Sequence, residues 1–201
     1  MQNLGKITDY KIQRLSELLA IENGEIYFNA VVETFKSPNK DVEHFLKTKA
    51  IQATKLNTAT TYLVYIERSA IEIDLVGYFS LAIKMLTLKK LSLSKSSQRI
   101  ISGFGYYDND SEAYKIPAIL VAQFGKNFSE ASVSISGSDL MAITLHQVKN
   151  ALSFLSGKIV FLESEKKEKL IDFYTENGFT VLDNEVLSKN KKELMQLYKL
   201  L

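Results

Sequence analysis

The order of hydrophobic patterns along the chain predicts an α/β layer fold whose sheet mixes parallel with antiparallel pairs. Three observations carry this. Residues Thr60–Ile66 and Leu75–Leu86 are β-branched and aromatic runs separated by a short charged turn, which reads as a hairpin. Ile116–Phe124 is a near-continuous apolar run, the pattern of a central strand covered on both faces. From there to the end of the chain, strand and helix patterns alternate, as parallel crossovers require.

Taken in order, Ile12, Leu15, Leu18 and Leu19 recur at helical spacing before Asn23-Gly24, so residues 10 to 22 read as an amphipathic helix. The segment between Gly24 and Pro38 reads as a strand. After Pro38, Asp41 is expected to cap a helix with an apolar stripe at Val42, Phe45, Leu46, Ala50 and Ala53, ending near Leu56. The hairpin follows. No acidic residue occurs from Leu75 to Tyr107, while Lys84, Lys89, Lys90, Lys95 and Arg99 accumulate there, the later ones in a stretch read as a Ser-rich, Gly-containing loop. Beyond the central strand, Ser138 or Asp139 is expected to cap a helix reaching Leu155, with Gly157 supplying a left-handed C-terminal cap. Lys158–Leu162 reads as a strand and the surroundings of Leu170–Tyr174 as a helix stopped by Asn177-Gly178. Phe179–Leu182 and Leu194–Leu200 then close the sheet.

The 201 residues, 46% hydrophobic and 24% charged, suit a folded globular chain and exclude disordered and fibrous classes. Cysteine is absent. A disulfide framework, a thiolate metal site and a cysteine nucleophile are therefore excluded, which fits a reducing compartment. The opening residues lack the apolar core of a signal peptide, and no run approaches the roughly 18 apolar residues of a membrane span, so a cytoplasmic protein without membrane association is expected. A net charge of +2 is too small for bulk attraction to nucleic acid, so any such contact must be local.

The familiar catalytic signatures are missing. His44 and His146 lie in separate predicted helices without partners at metal-ligand spacing, and they read as structural or surface residues, so no metal is expected. There is no Walker lysine loop, and Gly103-Phe104-Gly105 lacks the third glycine of a dinucleotide turn. What remains is the strand IPAILVAQFGKN, the turn SISGSD opening a long helix whose amides suit an anion, and FYTENGF after the next strand.

On these motifs the chain resembles the GNAT acetyltransferases. TYLVYI and DLVGYFSLAI look like the second and third strands of that family, and DVEHFLKTKA like the helix before them. The resemblance covers roughly residues 26–201. It implies a mixed, mostly antiparallel central sheet of six or seven strands flanked by helices, with residues 1–25 as an N-terminal helical extension. The long loop before IPAILVAQF and the terminal LMQLY look most like the toxin-type branch, whose members acetylate the amine of aminoacyl-tRNA.

The resemblance further implies acetyl-CoA as acyl donor and direct attack by a primary amine in a ternary complex. It implies pantetheine along Phe124, Gly125 and Lys126, pyrophosphate at Ser136, Gly137, Ser138 and Asp139, and Tyr174 as the acid that protonates the departing thiolate. The family's phosphate loop is glycine-rich, whereas this chain carries Ser132, Val133, Ser134, Ile135, Ser136 and Gly137; the Cβ of Ile135 restricts close backbone approach, so reduced or altered cofactor affinity is expected, with the Ser134, Ser136 and Ser138 hydroxyls contributing hydrogen bonds. Lys167 stands where the family often places an asparagine, and its ammonium could reach a phosphate. Glu163 is a candidate base. Phe173, Tyr174 and Phe179 could also simply pack a helix on the sheet. Lys95, Arg99, Phe104, Tyr106 and Tyr107 could grip tRNA or be a solvated loop. A GNAT-fold protein that binds acyl-CoA or a protein partner without turnover is the alternative from another class, and the resemblance also allows a homodimer.

Overall fold

The computed structural model describes residues 10–69, 73–90, 93–129, 135–187 and 193–201. Eight strands form one sheet in the order β1-β2-β3-β5-β6-β8-β7, with β4 paired to β5. The strand read from Ile116–Phe124 is β5 (Ala113–Lys126), and it is interior in that order, as its two-sided apolar pattern requires. The sheet holds one or two more strands than expected, because Tyr10–Arg14 and Tyr106–Asp108 also join it. The chain divides into two compact units, one comprising the residues up to Ala82 with Ala122–Thr144, the other Ile83–Val121 with Leu145–Leu201.

In the first unit, the helix expected over 10–22 is instead a strand, β1 (Tyr10–Arg14), followed by a short helix α1 (Leu15–Leu19). Ile12 is helically spaced from Leu15, but it stands opposite Val64 in an antiparallel ladder with β2 (Thr60–Glu67). The ladder pairs all five residues with β2, from Tyr10 opposite Ile66 to Arg14 opposite Tyr62, which outweighs a single side-chain spacing. Arg14 and Glu17 turn the chain, with the Arg14 Nε donating to Glu17 at 2.9 Å. The strand expected before Pro38 is also overturned: Gly24–Glu33 is helix α2. Phe28 and Val32 are almost fully buried one turn apart, with Phe35 buried just past the helix end, a helical face that a mostly apolar run conceals.

The helix after Pro38 is in place as α3 (Lys40–His44), a π-turn (Phe45–Lys49) and α4 (Ala50–Lys55). Its cap is Asn39, whose Oδ1 accepts from the Asp41 amide at 3.0 Å, not Asp41 itself. The hairpin of β2 with β3 (Ile73–Lys89) is as read, with Tyr62 stacked on Phe79 at 5.0 Å and Thr61 bonded to Ser80 at 2.8 Å. Leu15, Leu18, Phe28, Phe35, Leu46, Leu63 and Tyr78 form the core of this unit.

In the second unit, the region read as a loop contains helix α5 (Lys95–Ile101) and strand β4 (Tyr106–Asp108). Ser94 caps α5 through its Oγ, which accepts from the Ser97 amide at 3.1 Å, and Ile101 is fully buried beneath it. β5 and β6 (Ile159–Glu165) are parallel, with Ile119–Val121 opposite Val160–Leu162. β6 then pairs antiparallel with β8 (Glu193–Leu200), which pairs antiparallel with β7 (Thr180–Leu187). Leu86, Leu88, Ile101, Ile116, Ile159, Phe161, Leu182 and Tyr198 pack as its core. Helix α6 (Gly137–Leu155) carries the chain from the first unit into the second, and α7 (Glu168–Glu176) lies between β6 and β7 in sequence.

Candidate functional site

The residues expected to hold an acyl donor at the end of β5 and the start of α6 belong to the first unit. Gly125 is buried. A Cβ there would lie 2.6 Å from Val42, 2.9 Å from Tyr78 and 3.2 Å from Phe35, so glycine is required by the packing of these three side chains. Tyr78 donates to the Val42 carbonyl at 2.6 Å, and burial pushes its phenol pKa far up. Phe124 is partly buried, and the Lys126 ammonium lies 5.1 Å from the Phe128 ring centroid. The strand end is anchored by Asn127, buried, whose Nδ2 donates to the Leu75 carbonyl at 2.7 Å and whose Oδ1 accepts from the Lys36 amide at 3.1 Å.

At the start of α6 the cap is Ser136, not Ser138 or Asp139. Its Oγ accepts from the Asp139 amide at 3.0 Å, while the Asp139 carboxylate accepts from the Ser136 amide at 3.2 Å and its hydroxyl at 2.6 Å. This reciprocal capping box places a negative group where the first turn presents its amides. Ser136 and Ser138 are exposed, Gly137 is partly buried, and Ile135 is almost fully buried. Ile135 therefore pins the entry to the helix through its side chain. Ser134, like Ser132 and Val133, lies outside the described residues.

The second unit holds Lys167, Tyr174 and Glu163. Lys167 is the residue preceding α7, exposed, with its ammonium 2.5 Å from Glu165. Glu163 is exposed on β6 and accepts from Gln196 Nε2 at 3.0 Å. Tyr174 is half-buried on α7, with Phe173 edge-on at 5.1 Å and Phe179 at 6.0 Å between ring centroids. Burial pushes its phenol up to about 12, so it stays protonated across the neutral and mildly alkaline range. The packing reading and the acid reading of this aromatic trio are therefore compatible.

The turn after Tyr174 is densely bonded. Asn177 Nδ2 donates to the Phe173 carbonyl at 2.7 Å, and the Phe179 amide donates to the Tyr174 carbonyl at 3.0 Å. Gly178 has φ +81°, where glycine alone is unstrained. Lys199 on β8 donates to the Asn177 carbonyl at 2.6 Å. Sequence reading finds Asn177-Gly178 as a helix stop but misses Lys199, because nothing local links a lysine in a closing strand to a helix end 22 residues earlier. His44 and His146 are both exposed, and the His44 ring lies 3.3 Å from the Thr48 hydroxyl. Among the described residues no group of three or more His, Asp or Glu could hold a metal ion.

No protein-family model matches the sequence, and no curated protein does. Solved structures do match. A tyrosine-to-phenylalanine variant of KacT is 17% identical, with 94% of each chain covered and a TM-score of 0.63. AtaT complexed with acetyl-methionyl-tRNAfMet is 19% identical, covering 93% of this chain and 94% of that one at TM-score 0.62. AtaTR bound with AcCoA is 16% identical, covering 94% and 93% at TM-score 0.56. At these identities the likeness shows the fold, which is the GNAT-like mixed, mostly antiparallel sheet flanked by helices.

Proposed function

We propose that the chain is a cytoplasmic N-acetyltransferase that moves an acetyl group from acetyl-CoA to a primary amine. The observation that carries this reading is the match over nine-tenths of both chains to AtaT and KacT, one of those structures holding acetyl-methionyl-tRNAfMet and another AcCoA. In the proposed step the amine nitrogen attacks the thioester carbonyl, the C–S bond breaks, and the thiolate takes the Tyr174 proton. The proton shed by the amine goes to solvent and the phenol is later recharged from solvent. Tyr174 carries its proton at neutral pH, as the acid of this step must before the thiolate departs. Holding donor and acceptor together supplies much of the remaining rate, about 7–11 kcal/mol at best, so few catalytic groups are required.

Pyrophosphate is assigned to the first turn of α6 at Ser136–Asp139, and pantetheine to the backbone of Phe124–Lys126. Asp139 already occupies the Ser136 amide, so an incoming anion must displace its carboxylate or settle on the neighbouring Gly137 and Ser138. Thermal unfolding with acetyl-CoA, CoA and ATP in parallel tests the donor. Acetyl-CoA at ~100 times its dissociation constant adds about 2.7 kcal/mol, roughly 5–10 °C for a chain of this size, and ATP adds none. Absence of a shift at millimolar acetyl-CoA would overturn the reading in favour of a non-catalytic partner-binding protein.

Aminoacyl-tRNA is the acceptor we favour. α5 exposes Lys95 and Arg99 one turn apart, Tyr106 is 61% exposed, and Lys90 lies 5.2 Å from the Tyr107 ring. Cations beside exposed aromatics suit phosphates and unstacked bases.

A further inference from the structure

Tyr174 sits in the last turn of α7, so its aim depends on how that end is held. Four contacts converge there. Asn177 is bonded to the Phe173 carbonyl by its amide at 3.2 Å and its side chain at 2.7 Å, and the Gly178 amide reaches the Thr175 carbonyl at 2.9 Å. The Asn177 carbonyl, pointing onward as the helix runs out, accepts from the Lys199 ammonium at 2.6 Å. The same ammonium is 6.0 Å from the centroid of the Phe179 ring, which in turn stands edge-on to Tyr174. It also fills the space above Gly178, where a Cβ would come within 2.7 Å of its Nζ.

Lys199 itself is fixed, since β8 is laddered to β6 with Lys199 opposite Val160. A cation at a helix C-terminus is favourable. Here it is held in spite of cost: partial burial and the neighbouring Lys149 both lower its pKa. A surface lysine serving only solubility would leave this place for water.

We propose that Lys199 is a positioning residue for Tyr174, clamping the closing turn of α7 to the sheet through the Asn177 carbonyl and the Phe179 ring and so setting where the phenol points. The inference rests on the reading of Tyr174 as the acid.

Thiol release from acetyl-CoA, with methionyl-tRNA as acceptor and a protein-free blank subtracted, measures turnover with no thiol contributed by the protein, which has no cysteine. Lys199→Met lowers kcat about tenfold with the KM for acetyl-CoA changed less than about twofold, and Lys199→Arg, which still donates to a carbonyl, recovers most of the loss. In a Tyr174→Phe background Lys199→Met has no further effect, since it acts through the phenol. The Tyr174 ring resonance of the full chain labelled with [13C]tyrosine, identified by its loss in Tyr174→Phe, shifts in Lys199→Met and returns in Lys199→Arg whether or not the assay turns over. An unmoved resonance in Lys199→Met overturns the proposal. So does a loss that multiplies with Tyr174→Phe, which leaves the acid reading standing. Undiminished turnover by Tyr174→Phe removes the acid reading instead, and the resonance alone then decides whether Lys199 holds the ring.

Discussion

Asp139 sets how strongly the first turn of α6 can hold an anion, because its carboxylate sits on the Ser136 amide and hydroxyl. Asp139→Asn keeps an oxygen for the Ser136 amide and removes the charge. Charge at a helix N-terminus counts for about 0.3–1 kcal/mol, so acetyl-CoA affinity should rise roughly two- to fivefold, read by calorimetric titration. Unchanged or weaker binding would mean that the pyrophosphate does not meet this turn. At Tyr174 the sign is set by burial: a phenol raised to about 12 keeps its proton through pH 10, where an ordinary tyrosine is half ionised. Turnover should therefore show no fall attributable to this group between pH 8 and about 10, while Tyr174→Phe lowers kcat about 10²-fold or more at neutral pH. Tyr174 itself is legible in FYTENGF. Asp139 is legible only as a helix-start residue, since whether a carboxylate faces outward to solvent or back onto the Ser136 amide and hydroxyl is not written in the local residue pattern.

α3 and its π-turn are tied to the preceding loop through one carboxylate, that of Glu43. Glu43 accepts from the Ser37 amide at 3.2 Å, Lys47 at 3.1 Å and Lys40 at 3.3 Å. The Ser37 amide first and Lys47 next hold its pKa down at about 2, against 4.5 unperturbed. A depressed carboxylate stabilises the fold above its unfolded pKa and ceases to do so as pH falls from about 4.5 to 2. The melting temperature of Glu43→Gln should lie below wild type at pH 7, and the gap should close over that acidic window. A gap constant with pH would show that shape, not charge, is what the position needs. The hairpin, α6 and α7 are legible through their hydrophobic periods, and β5 through the length and β-branched content of its apolar run between turn residues. Tyr10–Arg14 and Gly24–Glu33 depart from the sequence expectation for opposite reasons: Ile12 fits a helical stripe but is claimed by the β2 ladder, whereas the mostly apolar run from Ile26 to Val32 conceals its helical period. α5 was hidden because its only deep anchor is Ile101, and a Ser-rich capped turn resembles a loop.

For the molecule as a whole, charge separates the two acceptor readings. The net charge of +2 gives no general affinity for nucleic acid, so tRNA binding would have to come from the acid-free region that carries Lys89, Lys90, Lys95 and Arg99. Each phosphate neutralised releases counterions and adds roughly 0.7–0.9 to the slope of log affinity against log salt. Replacing these four by glutamine should weaken tRNA binding at 50 mM salt and flatten that slope by about 2–3 if most of them touch phosphate, while leaving acetyl-CoA binding and turnover of small amines unchanged. A slope equal to wild type would free the region from any role in the acceptor and return the small-amine reading to first place. A flattened slope with lost small-amine turnover would instead mean that the substitutions had disturbed the core under α5, where Ile101 packs with Leu86 and Ile116. The melting temperature distinguishes these cases, because surface charges at this exposure contribute well under about 1 kcal/mol each whereas a disturbed core costs several degrees.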